Sequence, residues 1–397
     1  MVLYYVFTYL YWGCPKMAND VLSHIELKGF TSIRHADIDL KPINVLIGGN
    51  AAGKSNLVSF FKMLAFTVTE SLQLYVGRTG SANSLLYYGS KRTPQLEATL
   101  TFETNGAQDT YHLRLVHAAE DTLIFAEEEV RYHKPGFPDP QTISLGARHK
   151  ETNLNNVAET DPTVEVVRNI LSRCKFFQFH DTSAEANIRG KCQIEQNQYL
   201  YKDAGNLAAY LYALKDRAKP YYRRIVDTIR DVAPQFDDFY LEPDRVNENL
   251  ISLNWQEPGS EYVFGPHQLS DGLLRFMALA TVLLQPEDEL PNLIVIDEPE
   301  LGLHPYAIRV LAGLVRKAAS RSQIILATQS ATLVNEFEPE DIITVDRQKV
   351  EPDRAAGEVE WKSVFRRLDV ESLGDWLEEY TMGELWEKNV IGGRPSR

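Results

Sequence analysis

The sequence predicts an α/β fold, a parallel sheet flanked by helices and split by a long insertion with a β-rich part and a helical part. Three observations predict it. The apolar run Ile43–Ile47 precedes the loop Gly48-Gly49-Asn50-Ala51-Ala52-Gly53-Lys54-Ser55, and Leu57, Val58, Phe60, Phe61 and Leu64 follow at helical spacing. A second apolar run, residues 293–296, ends in Asp297-Glu298-Pro299, as a buried parallel strand does where its carboxyl end meets a ligand crevice. From residue 269 onward helical and strand patterns alternate again, with a helix from Ser270, one over 305–319, and strands at 324–328 and 342–345.

The elements between these landmarks follow in order. Residues 1–20 contain an apolar, aromatic run that is too short to cross a bilayer, and no basic residue precedes it as in a secretory signal. We expect residues 1–20 to be an upstream extension, with Met17 as the working start. Three β-like runs fill residues 21–47. Leu96, Ala98, Leu100 and Phe102 alternate with polar neighbours, as do Tyr111, Leu113 and Leu115, which predicts an antiparallel lobe inserted after the first helix. Residues 133–160, rich in Pro, Gly, Asn and Thr, read as loop. Helix is expected at 164–171, a short strand at 174–179 and two consecutive helices over 206–232. The expected division is therefore a core of residues 21–66 and 265–349, inserted lobes at 67–264, and a cap at 350–397 that buries Trp376, Tyr380, Leu385 and Trp386.

Composition narrows the function classes. With 44% hydrophobic and 24% charged residues, the 397-residue chain has ordinary globular values. Its 55 acidic and 41 basic side chains give a net charge of −14, so the overall field repels nucleic-acid backbones and any such contact must use a local basic patch. Cys14, Cys174 and Cys192 are widely spaced and form no C-x-x-C pair, which argues against a disulfide framework or zinc site and for a reducing, cytoplasmic compartment.

The loop at 48–55 fits the spacing G-x-x-x-x-G-K-[ST] in its required setting, after a strand and before a helix. Glycines let successive backbone N–H groups curl around phosphate oxygens, the lysine reaches the β and γ phosphates, and the hydroxyl serves Mg²⁺. Gly48, Asn50, Gly53, Lys54, Ser55 and Asn56 are the expected ATP-binding residues. Asp297 and Ser55 would hold Mg²⁺, while Glu298 would polarise the attacking water as general base. Leu269-Ser270-Asp271-Gly272-Leu273 opens a helix that Ser270 would cap.

In this combination and order the chain resembles ATPases of the ABC type, in the branch that includes RecF, SMC and OLD-family heads. Leu269, Ser270 and Gly272 match that family's Leu-Ser-Gly-Gly-Gln signature, while Asp271 and Leu273 depart from it. Glu300-Leu301-Gly302-Leu303-His304-Pro305 after the acids points to the same branch. The resemblance implies an ABC-type P-loop nucleotide-binding core that hydrolyses ATP to ADP and phosphate. It also implies a homodimer closed by two ATP molecules, with Ser270 and Gly272 of one chain facing the γ-phosphate bound by the other. Gln178 is the candidate for the family's mobile glutamine loop. Thr328-Gln329-Ser330 stands where relatives carry Thr-His-Ser, so Gln329 is expected to support slow turnover without a histidine's pH sensitivity.

Two functions remain open on these grounds. One is a nucleotide-gated switch controlling a separate effector, such as a nuclease, in prokaryotic defence; OLD-type proteins carry a Toprim nuclease after the ATPase core, whereas 69 residues follow Thr328 here, without an added acidic cluster. The other is a RecF-like repair ATPase that binds DNA directly. A transporter motor is disfavoured by the signature and by the lack of a membrane span, and a non-enzymatic ATP-gated scaffold shares the same site.

Overall fold

A computed structural model describes residues 20–104, 106–137, 139–350, 359–374 and 376–393. The expected extension lies outside these residues, apart from Asp20. Strands β1 (Val21–Phe30) and β2 (Ile33–Asp39) form a hairpin, and β3 (Ile43–Ile47) runs into the glycine-rich loop. Helix α1 (Lys54–Val68) follows, then the short helices α2 (Leu72–Arg78) and α3 (Ala82–Leu85). Four long strands come next: β4 (Gln95–Thr104), β5 (Ala107–Ala118), β6 (Thr122–His133) and β7 (Gln141–Gly146).

These strands do not form a lobe of their own. β4 pairs with β1, giving one antiparallel sheet in the order β2-β1-β4-β5-β6-β7. The boundary expected at residue 66 therefore cuts across this sheet. The reason is visible in the alternation: Ile25 and Leu27 of β1 turn the same kind of apolar face inward as Leu96, Ala98 and Leu100 of β4. The loop expected over 133–160 also contains regular structure, namely β7 and helix α4 (Leu154–Ala158). Buried Leu145 and Leu154 fasten them to the core, which outweighs the local Pro and Gly signals.

Helix α5 (Pro162–Ser172), capped by Asp161, leads into strand β8 (Cys174–Phe177). After β9 (Cys192–Gln193), helices α6 (Leu207–Arg217) and α7 (Lys219–Val232) form the expected pair, broken just before Pro220. Four short strands follow: β10 (Asp238–Tyr240), β11 (Leu250–Ile251), β12 (Asn254–Gln256) and β13 (Val263–Phe264). The chain then alternates through α8 (Asp271–Leu284), β14 (Leu293–Asp297), α9 (Pro305–Ala318), β15 (Gln323–Thr328), α10 (Ala331–Val334) and β16 (Ile342–Val350). Strand β17 (Glu360–Arg367) and helices α11 (Val370–Leu373), α12 (Trp376–Glu379) and α13 (Met382–Glu387) close it. Of the side chains expected to be buried there, Trp376 is exposed at 49%, whereas Leu385 is fully buried.

The second sheet has the order β17-β16-β3-β15-β14-β8, parallel except for the β16–β17 pair. Thus β8, from the middle of the inserted region, supplies an edge strand of the core sheet. Both faces of this sheet are covered, which is why its strands read as unbroken apolar runs. Val45, Ile294, Ile296, Ile324 and Leu326 pack with α6 to α9, while Leu46, Leu293, Val295, Ile325 and Ala327 join α1 and the antiparallel sheet. Phe30 of β1 and Phe60 of α1 meet edge to face at 5.9 Å, fixing α1 between the two sheets. No described helix is long and apolar enough to cross a membrane.

Candidate functional site

The site is built on the carboxyl ends of four neighbouring parallel strands. Strand order brings β3, β15, β14 and β8 side by side, and register aligns Ile47 with Thr328, Ala327 with Asp297, and Ile296 with Phe177. Each strand then delivers one sequence-predicted group: the loop after β3, Gln329 after β15, Asp297 and Glu298 at the end of β14, and Gln178 after β8.

The loop after β3 wraps the start of α1. Gly53 has φ of +120°, and a Cβ there would lie 2.1 Å from Ser363 Oγ, so only glycine fits. Ala51 is also left-handed, with φ of 62°. Lys54 is buried at the first position of α1, and its Nζ donates to the carbonyls of Gly48 (2.6 Å) and Gly49 (3.1 Å). Burial pushes its amine below the usual lysine range, and Asp297, Glu298 and Glu300 push it back up. Asn50 on the loop and Ser55 in the first turn of α1 are exposed. Asn56 Nδ2 donates to Ser32 Oγ (2.5 Å), joining a chain through Ser363 to the carbonyl of Ala52. Through this chain it braces the loop against β17.

The two acids divide the work. Asp297 is buried, and its Oδ1 has no hydrogen-bond partner among the described residues. Burial pushes its carboxyl above the usual range, Glu298 pushes further, and His180 and a Ser55 hydrogen bond pull it down. Glu298 adopts φ of 44°, a left-handed backbone costing a non-glycine residue roughly 1–2 kcal/mol. Its Oε1 accepts from Gln329 Nε2 at 3.1 Å. Gln178 bonds His180 Nδ1 at 3.2 Å, and His180 Nε2 bonds the Asp297 carbonyl at 3.0 Å. His180 and Asp181 face different partners, since Asp181 accepts from Ser183 Oγ at 2.7 Å.

Ser270 caps α8, accepting from Leu273 N at 3.3 Å, and is exposed. Gly272 is required by packing, because a Cβ there would lie 2.1 Å from the Gly302 carbonyl. Asp271, the departure from the family signature, is paired with buried Arg189 at 2.7 Å.

Several contributors escaped sequence reasoning. Arg275 donates to the carbonyls of Phe179 (2.7 Å), His180 (3.1 Å) and Leu301, tying α8 to the ends of β8 and β14. A lone charge inside an otherwise apolar helix was the signal for it. Arg189 also holds the carbonyls of Thr182, Pro266 and Leu269, and nothing local marked it. Glu300 accepts from Thr328 Oγ1 (2.6 Å) and Gln329 N (3.3 Å), while its Oε2 is buried without a partner among the described residues. Gly393 places its carbonyl 2.6 Å from Gly49 N, so the end of the described chain touches the phosphate loop.

The donor set fits a magnesium ion. Asp297 offers a buried oxygen without a partner, Ser55 stands beside it, and no described cluster of three or more His, Cys, Asp or Glu could hold a metal by itself. Mg²⁺ commonly takes one or two protein ligands and completes its shell with phosphates and water.

Residues 43–335 match the family described as "AAA domain, putative AbiEii toxin, Type IV TA system". The chain belongs to this AAA family. Within it, this member is an ABC-type ATPase of the RecF/SMC/OLD branch. It is 22% identical to the OLD nuclease of Thermus scotoductus over 360 residues, covering 82% of this chain and 62% of that protein. It is also 22% identical to the Old nuclease of Escherichia phage P2 over 345 residues, covering 79% and 57% respectively. The chain thus spans about three-fifths of the length of these curated relatives. In structure it is similar to an Smc head bound to the C-terminal winged-helix domain of ScpA, with a TM-score of 0.53 at 17% identity, covering 89% of this chain and 99% of that one. That likeness shows the fold.

Proposed function

We propose that this AAA-family protein hydrolyses ATP to ADP and phosphate as a nucleotide-gated homodimeric switch, and that it controls a separate effector such as a nuclease in prokaryotic defence. The observation that carries the reading is the buried Asp297 oxygen, without a hydrogen-bond partner among the described residues, beside Glu298 and on the same sheet edge as Lys54. A bound Mg²⁺ supplies charge neutralisation at the phosphates, and Asp297 and Ser55 would hold it. Backbone N–H groups from Gly48 to Ser55 cradle phosphate, and Lys54 exchanges its two loop carbonyls for phosphate oxygens. Glu298 takes the proton of the attacking water, and Gln329 orients it by donating to Oε1. Gln178 follows the strand paired with β14 and reaches the site through His180.

Support for the dimer comes from α8. Its capped N-terminus presents exposed Ser270 and the positive end of the helix dipole, a ready site for an anion held by a second chain. Control of an effector is supported by the likeness to the two OLD nucleases.

The test is a size measurement on Glu298→Gln with and without Mg-ATP. Conversion of monomer to dimer by ATP, abolished by Ser270→Arg, is the expected result. A particle of constant size would sink the switch while leaving hydrolysis open. Neighbouring genes and co-purifying chains would identify the effector.

A further inference from the structure

Away from the phosphate loop, a pocket of about 590 Å³ opens between α1, β8 and the loop at residues 199–203. Such a volume suits a small organic ligand. It gathers positive charge from three elements: half-buried Lys62 on α1, Lys175 on β8, and Lys202 on the loop. These lysines form no salt bridge among the described residues. Lys62 Nζ sits 5.7 Å from the centre of the Phe176 ring, while Lys202 (4.9 Å) and Arg78 (5.7 Å) crowd the ring of Phe66. Burial first, then Lys202 and Arg78, hold the Lys62 amine below its usual range, as expected of a cation lacking a counter-ion.

The two carboxylates lining the pocket are already engaged. Asp203 accepts from Asn187 Nδ2 (2.9 Å) and Gly205 N (3.1 Å), and Glu289 accepts from Tyr210 Oη (2.6 Å) and Arg217 (2.9 Å). The pocket therefore has positive charge to spare on a chain whose net charge is −14.

Its other feature is aromatic surface. Tyr199 is 63% exposed, with Tyr201 5.5 Å from it. The platform is built rather than loose. Asn206, fully buried, donates to the carbonyls of Gln196 (2.7 Å) and Tyr199 (2.8 Å) and accepts from Tyr201 N (2.8 Å). The carbonyl of Lys202 accepts from Gln178 N at 2.9 Å, which fastens the loop to the end of β8. A buried amide that fixes the backbone of two tyrosines, next to a lysine whose carbonyl is fastened to the end of β8, is preorganisation for a ligand. Unpaired cations beside an exposed ring are the pairing that single-stranded nucleic-acid sites use, with phosphate on the cations and base on the ring.

We propose that this pocket binds a nucleotide, phosphate on its lysines and base on Tyr199, either free or as one unit of a single strand. The site is separate from the ATP site. The test uses the full chain and a fluorescent oligodeoxythymidylate followed by anisotropy. Wild type binds. Lys62→Glu combined with Lys202→Glu weakens binding roughly tenfold or more and flattens its salt dependence. Tyr199→Ala weakens binding roughly five- to a hundredfold with the salt dependence retained. Lys54→Ala keeps the oligonucleotide affinity, and the pocket variants keep fluorescent-ATP binding, which shows them folded. Thymidine monophosphate displacing the probe at matched nucleotide concentration assigns the free nucleotide; displacement only by oligonucleotide assigns the strand. The proposal is overturned if wild type binds neither probe, if the pocket variants bind as wild type, or if an acidic peptide of equal charge displaces the probe as well.

Discussion

Glu128 and Asp297 are both buried carboxylates, at 1% and 8% exposure, and their surroundings differ completely. Glu128, in the antiparallel sheet, is saturated: it accepts from Tyr111 Oη (2.6 Å), Asn153 N (3.0 Å) and the Thr152 hydroxyl. Asp297, at the edge of the parallel sheet, keeps an oxygen with no partner among the described residues, as does Glu300 nearby. A buried polar group left unmade costs about 1–3 kcal/mol. One sheet uses its carboxylate to finish the fold, and the other carries a deficit that a ligand can relieve. The left-handed backbone of Glu298 and the buried Lys54 amine add to that deficit.

The comparison is sharpened most by removing function without touching the fold. Glu298→Gln is expected to lower ATP turnover roughly 10²- to 10⁴-fold, the usual contribution of a general base. Its thermal unfolding should stay close to wild type, because the amide still meets Gln329. Turnover within a factor of about three of wild type would remove Glu298 from the chemistry.

The opposite result is expected in the antiparallel sheet. Glu128→Ala strips partners from Tyr111, Thr152 and Asn153 together, and should destabilise the protein by about 3 kcal/mol in denaturant unfolding. The folded fraction should hydrolyse ATP normally. Equal losses of stability and turnover per folded molecule would collapse the distinction between the two sheets.

Asp297→Asn tests the deficit itself. Asp297 and Glu300 are both held above their ordinary values by burial, so the folded state favours their protonated forms. Their favourable contribution is full below the unfolded values and is lost as pH rises through the raised folded ones. Once its carboxyl has lost the proton, the wild type bears a buried charge that the neutral amide of the variant lacks. Without nucleotide, the variant should melt higher than wild type at pH 7, by an amount worth roughly 1 kcal/mol, and the gap should close on acidification. Added Mg-ATP should raise the melting temperature of wild type more than that of the variant. A variant less stable than wild type at every pH would show that Asp297 is structural.

The two regions also differ in how far they could be read in advance. Period-two alternation in residues 95–104 and 111–115 marked the antiparallel strands, because that pattern is local. Their partnership with β1 was not local, and the intervening helix α1 hid it. At the site, the groups carried by short motifs (Lys54, Ser55, Asp297 and Glu298) fell on one sheet edge, since strand order alone aligns them. Arg189, Glu300 and Gly393 act through contacts to distant backbone carbonyls and amides, which leave no periodicity behind. Asn56, expected from its place in the motif to meet the nucleotide, also carries a tertiary contact to Ser32 that no local pattern announces.

The smallest expected effect concerns Gln329, whose Nε2 donates to Glu298 Oε1 at 3.1 Å. An amide holds that contact at any pH near neutrality, since it neither gains nor loses a proton. A histidine there would titrate around pH 6.5, and in its charged form would attract the Glu298 carboxylate and weaken it as a base. Wild type should therefore show a flat turnover profile between about pH 6 and 8, and Gln329→His a rise of a few-fold as the imidazole loses its proton. Reading both profiles at saturating Mg-ATP separates orientation from charge. Coincident profiles would mean that the side chain at 329 does not act on Glu298, and the contact between them would then be a feature of packing.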